Sequence, residues 1–160
     1  MDYPDRIKTI IYEELLHFSH LQEQRMELEL KEIQEMVQLH QLKGVPGNLS
    51  TIHVLDCIGQ HEPINHSAIA EKLKMSKASI TKISKKLLAL DLIHRTQLND
   101  NRKEVYFRLT PQGKQLFELH RTLHEAEEQR FMRFLDDYSE SELQTMLKFF
   151  QGMARYISER

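Results

Sequence analysis

Residues 64–110, INHSAIAEKLKMSKASITKISKKLLALDLIHRTQLNDNRKEVYFRLT, constrain the fold more than any other stretch of the chain. Ile69, Ala70 and Leu73 fall on one face of a short helix expected over residues 67–73. A tight break at Lys74 and Met75 follows. Ser76 then stands where a helix cap is needed, because its hydroxyl can satisfy the free amides of the next turn. The second helix is expected over residues 77–90, with Ile80, Ile83, Leu87 and Leu90 recurring on its core side. Lys77, Ser79, Lys82, Lys85 and Lys86 occupy the rest of its surface. Two short helices around a tight turn, the second basic and opening on small polar residues, describe a helix-turn-helix.

The next residues have the pattern of a wing. Residues 92–96 and 104–109 carry the Ile, Val, Tyr and Phe of paired strands. Between them lies a polar turn ending in Arg102 and Lys103. An arginine at such a tip suits a narrow minor groove, where negative potential concentrates, and Asp100 is placed to orient it. The expected DNA-contacting residues are therefore Ser76, Lys77, Ser79, Lys82 and Lys85 on the helix, with Arg102 and Lys103 on the wing. Ala70-Glu71-Lys72-Leu73, Ser76 to Lys82, Asp100-Asn101-Arg102 and Leu109-Thr110-Pro111-Gln112-Gly113 together resemble the MarR family of bacterial transcriptional regulators. The resemblance is close over the DNA-binding half. Elsewhere it follows helix length and order more than sequence.

Composition agrees with a single globular domain of 160 residues. Five glycines and four prolines favour helix over an all-β fold. No apolar run long enough to span a membrane, no signal-peptide pattern and one cysteine lead to the expectation of a cytoplasmic protein. The net charge of −2 is uninformative by itself. Its distribution is not: between Lys72 and Lys103 the lysines and arginines are opposed only by Asp91 and Asp100. Phosphate binding needs such a local patch rather than a high overall charge.

The flanks read as helices. Residues 5–42 form one long acidic helix, possible breaks aside, with Ile7, Ile10, Ile11, Leu15, Phe18 and Leu21 along one stripe. A helix of this length cannot bury both ends in one small domain, which points to a partner. Residues 43–48 form a loop, and a helix over residues 51–60 is capped by Asn48 or Ser50. After Pro111 a second long helix runs past Leu135. A last helix begins at Ser139-Glu140-Ser141-Glu142. The fold class expected is mainly α: a winged helix-turn-helix with a small β wing, flanked by terminal helices that form a dimerisation domain. Residues 1–47 and 111–160 supply the dimer helices, and residues 48–110 the DNA-binding lobe. A two-fold homodimer would present its recognition helices to successive major grooves, roughly 34 Å apart, on an inverted repeat.

Nine histidines are many for this length, and most need no special role. His17, His20, His40 and His61 belong on helix surfaces or turns, and His66 could at most touch phosphate. His120 and His124 differ: four apart on one helix, both rings project from one face and can share a metal. The zinc-protease pattern His-Glu-x-x-His is absent, so no enzyme is expected. Within the MarR family the chain further resembles the zinc-responsive AdcR/ZitR branch. That resemblance implies a zinc site of His53, His120, His124 and a first-helix glutamate, Glu27 by ungapped alignment, with Glu23, Glu29 and Glu35 as alternatives. The branch's second site, which uses a cysteine, is expected to be absent or rebuilt, since Ile52 and Leu119 stand beside the primary ligands and the first helix has no cysteine. Cys57 is expected to fill core space. The function expected is a zinc-dependent repressor of metal-uptake genes. The alternative is a repressor released from DNA by a small organic anion.

Overall fold

A computed structural model describes residues 3–44, 46–97 and 104–159. The chain forms two compact units, Met1–His120 and Arg121–Arg160. The first holds α1 (Tyr3–Leu39), α2 (Leu49–His61), β1 (Ile64–Asn65), α3 (His66–Leu73), α4 (Lys77–Ala89), β2 (Ile93–Thr96), β3 (Tyr106–Leu109) and the start of α5 (Pro111–Leu135). The second holds the rest of α5 and α6 (Glu140–Ser158). The fold is thus mainly α with a small antiparallel sheet, and α1 is continuous.

Helix starts follow local chemistry. Asn48 is the cap of α2, its Oδ1 accepting from the Thr51 amide at 2.9 Å. Asn65 caps α3 through the Ala68 amide at 2.9 Å, and Ser76 caps α4 through the Ser79 amide at 3.1 Å. Each such bond satisfies an amide that the helix cannot, worth about 1 kcal/mol. In the second unit Ser139 and Glu142 form a reciprocal capping box, and the Ser139 hydroxyl and amide hold the Glu142 carboxyl below its ordinary value. The turn between α3 and α4 has no glycine. Lys74 takes the left-handed conformation at φ 51°, and its amide bonds back to Ala70 and Glu71.

The strand order is β1-β3-β2. The wing pair is in the expected place, with Ile93 opposite Leu109 and Thr96 opposite Tyr106. β1 is an addition: Ile64 pairs with Phe107 and Asn65 with Tyr106. Glu104 ties this corner together, accepting from Asn65 Nδ2 and from the Tyr106 hydroxyl.

The core centres on α2. It buries Leu49, Thr51, Ile52, Val54, Leu55, Cys57 and Ile58, and packs against α3, α4 and β3. Ile69, Ile80, Leu87 and Phe107 close around it, each worth about 1.5–3 kcal/mol of apolar burial. Cys57 fills core space as expected, and burial pushes its thiol up despite Lys72 nearby. Along α1 only Ile33 and Val37 are buried among the described residues, and Ile7, Ile10, Ile11, Phe18 and Leu21 stay exposed. In the second unit α6 buries no described residue and exposes Leu147, Phe149, Phe150 and Ile157. No helix among the described residues is long and apolar enough to cross a membrane.

A tight junction joins the wing to α5. The Thr110 amide donates to Leu92 O at 3.1 Å and its hydroxyl to Asp91 O at 2.6 Å, while the Gly113 amide donates to the Thr110 hydroxyl at 3.0 Å. A Cβ on Gly113 would lie 1.9 Å from Leu92 O, a backbone atom that cannot swing away. Gly113→Ala is therefore expected to lower stability by at least about 1–3 kcal/mol, read as a lower urea midpoint. An unchanged midpoint would show that the junction is looser than this geometry.

Candidate functional site

α4 presents one buried and one basic face. Ile80, Ser84 and Leu87 are buried, while Lys77, Lys82, Lys85 and Lys86 are exposed, and its sequence contains no acid. The Ser76 hydroxyl is engaged by the Ser79 amide and lies 2.8 Å from the Ser79 hydroxyl, so this pair first sets the start of the helix. Ser76 is exposed and Ser79 half-buried. Lys82 and Lys86 border a shallow groove with Asn48, Ser50 and Thr51 at the start of α2. The positive face therefore extends beyond the recognition helix toward the amide-rich end of a second helix, an arrangement favourable to phosphate. Arg95 is exposed on β2. The expected wing contacts Arg102 and Lys103, with Asp100, lie outside the described residues. His66 packs edge-on against Phe107, ring centroids 4.6 Å apart, and burial followed by the Arg95 charge lowers its pKa.

A second constellation forms around His120, which is 1% exposed. Its Nδ1 lies 2.5 Å from Asp56 Oδ2 on α2, and its Nε2 lies 3.2 Å from Glu29 Oε1 on α1. Burial alone would lower the imidazole's pKa; the hydrogen bonds and charges of Asp56 and Glu29 outweigh it and raise the pKa above the ordinary histidine value. One turn further along α5 comes His124.

The expected ligands are thus brought together in part. His120 and His124 share a face of α5. His53 is exposed on α2, its ring centroid 6.4 Å from that of His120. Glu27 is exposed, and it is Glu29 that reaches His120. The difference in placement has a simple cause: two residues along a helix turn a side chain by roughly 200°, so Glu27 and Glu29 point to nearly opposite sides. Asp56 was missed altogether. The available signal was a lone acid in an otherwise uncharged helix, three residues after His53 and so on the same face. Imidazole nitrogen and carboxylate oxygen form a donor set suited to borderline divalent cations.

Residues 48–105 match the MarR family. Over 149 residues the chain is 44% identical to the HTH-type transcriptional regulator PchR of Bacillus subtilis (strain 168), spanning 93% of this chain and 88% of that one. It is similar in structure to Streptococcus pneumoniae FabT in complex with DNA, with a TM-score of 0.69 and 19% identity over 92% of this chain and 98% of FabT. It is also similar to the adhesin competence repressor AdcR of Streptococcus pyogenes, with a TM-score of 0.62 and 24% identity over 79% of this chain and 96% of AdcR. The two structural likenesses concern the fold alone. With its winged helix and basic α4 face, the chain belongs to the MarR family of transcriptional regulators, DNA-binding proteins and not enzymes.

Proposed function

We propose that the chain is a zinc-dependent repressor of metal-uptake genes that binds an inverted-repeat operator as a homodimer. The observation that carries the reading is His120: a buried imidazole held between carboxylates from two other helices, with His124 one turn on. The fit to a cation has a further sign. Asp56 Oδ1 is buried and accepts no hydrogen bond among the described residues, so the cluster is rich in negative charge and acceptors. Glu29, His120 and His124 are the proposed ligands. His53, whose ring centroid lies 6.4 Å from that of His120, would be the fourth. Zinc supplies positive charge that offsets the Glu29 and Asp56 carboxylates. The chain's own residues do the rest. Glu29 anchors α1, His120 anchors α5, and α2 carries the apolar face on which α4 rests.

The switch requires tighter metal binding to the state whose recognition helices match successive grooves, and a coupling of about 1–3 kcal/mol is ordinary. Homodimer formation is supported by the exposed apolar residues of α1 and of α6, which need a partner surface. On DNA, Lys77, Lys82 and Lys85 neutralise phosphates, Ser76 and Ser79 approach base edges, and Arg102 and Lys103 supply the wing contact.

The reading is tested with DNA duplexes selected by the zinc-loaded protein from a random library. Zinc is expected to tighten binding about 5–150-fold, and His120→Ala to abolish that gain. Affinity indifferent to both zinc and chelator would overturn it. Lys82→Ala should weaken binding to all duplexes alike and lower the salt slope by about 1, measured by anisotropy at several salt concentrations.

Acidity supplies a separate check. Because the His120 pKa is raised, protons should begin to compete with zinc at a higher pH than for an ordinary histidine, weakening zinc binding as pH falls. In the metal-free protein the sign reverses. Stability from the charged ring is fully present below the ordinary histidine pKa and is lost as pH rises through the raised folded value. Thermal melts of metal-free wild type and His120→Ala across that range should converge at high pH.

A further inference from the structure

We infer that Asp56 is a positioning residue for the proposed metal site: it fixes His120 as the tautomer protonated on Nδ1, so that Nε2 offers its lone pair to the ion. The inference rests on the zinc reading and adds to it a residue outside the ligand set. An imidazole can ligate through either nitrogen, and the two nitrogens of His120 both face carboxylates. The distances tell these carboxylates apart. Zinc bonds to nitrogen and oxygen are about 2.0–2.2 Å, so two ligand atoms on one tetrahedral ion stand roughly 3.3 Å apart. Nε2 and Glu29 Oε1 are 3.2 Å apart, which leaves room for an ion between them. Nδ1 and Asp56 Oδ2 are 2.5 Å apart, too close for an ion to sit between them.

Nε2 faces Glu29 at ligand spacing and Nδ1 is closed to an ion by Asp56, so the ion would replace the Nε2 proton and leave a neutral ring protonated on Nδ1, beside the Asp56 carboxylate. An imidazole whose far nitrogen is paired with a carboxylate is also a stronger donor to the metal. The setting reinforces the assignment. The Asp56 side chain is only 17% exposed, and His120 is fully enclosed, so water is a poor substitute for the contact. Asp56 also sits one turn after His53 on α2. The same helix therefore orients one histidine and carries another. A metal held by His120 would thereby be tied to α2 through Asp56.

The test is zinc affinity by chelator competition for wild type, His120→Ala, Asp56→Ala and Asp56→Asn. Circular dichroism of each metal-free variant checks folding. Asp56→Ala should weaken zinc about 10–100-fold. Asp56→Asn should recover most of that loss, since its amide oxygen still accepts from Nδ1–H. Nitrogen-proton correlation spectra of the zinc-loaded protein give a readout that a merely structural role would leave alone. Wild type and Asp56→Asn should show a slowly exchanging proton on His120 Nδ1, and Asp56→Ala should lose it. Unchanged affinity in Asp56→Ala, beside a loss in His120→Ala, would overturn the positioning role and leave the zinc site standing. A wild-type protein that binds no zinc would overturn both. Ligation of His120 through Nδ1 would overturn the assignment given to Asp56.

Discussion

The contact of Gly113 with the carbonyl of Leu92 governs how the parts of the first unit are joined. There the chain leaves α4, makes the wing and enters α5, and the backbones approach too closely for any side chain. Thr110 bonds to the peptides on one side and to Gly113 on the other, so the exit of α4 and the entry of α5 share one hydrogen-bonded knot. His120 follows two turns later on the same rigid helix. Its position relative to the DNA-reading lobe therefore depends on the knot as well as on its contacts with Asp56 and Glu29.

The electrostatics divide the unit into two regions of opposite character. The α4 face is exposed and uniformly cationic, so its lysines keep their hydration and act through the field of the duplex, weakened by salt. Around His120 the charges are enclosed and mainly negative. Enclosure makes each partner matter more, since a buried carboxylate without a counter-charge is strongly unfavourable. A small change at the enclosed site can therefore outweigh a larger one on the lysine face.

The legible parts of the chain were those whose causes are local. Ser76 announced α4 because a cap needs only its own next three residues, and the wing followed from alternating strand residues beside a polar turn. β1 was invisible because a two-residue strand exists only through its pairing with Phe107 and Tyr106, far along the chain. Which glutamate of α1 faces His120 was left open, with Glu27 first and Glu29 among the alternatives, for a related reason. α1 has a long exposed stretch and few buried residues, so its pattern does not fix which side faces inward, and a shift of two residues turned the choice from Glu29 to Glu27. Asp56 escaped because its role belongs to a contact between helices and not to any spacing within one.

α2 also has a mechanical meaning. It is a rod of 13 residues, roughly 20 Å long, with Asp56 and His53 on one side and the packing surface for α3 and α4 on the other. Close-packed interiors resist bending, so a tilt imposed at the acidic side is carried across as motion of the whole lobe. On a lever of this length, a tilt of a few degrees becomes a displacement of about 1–2 Å at the far end, the scale on which packed helices shift. That is comparable with the tolerance of a hydrogen bond to a base edge. Recognition could thus be gained or lost with every helix intact.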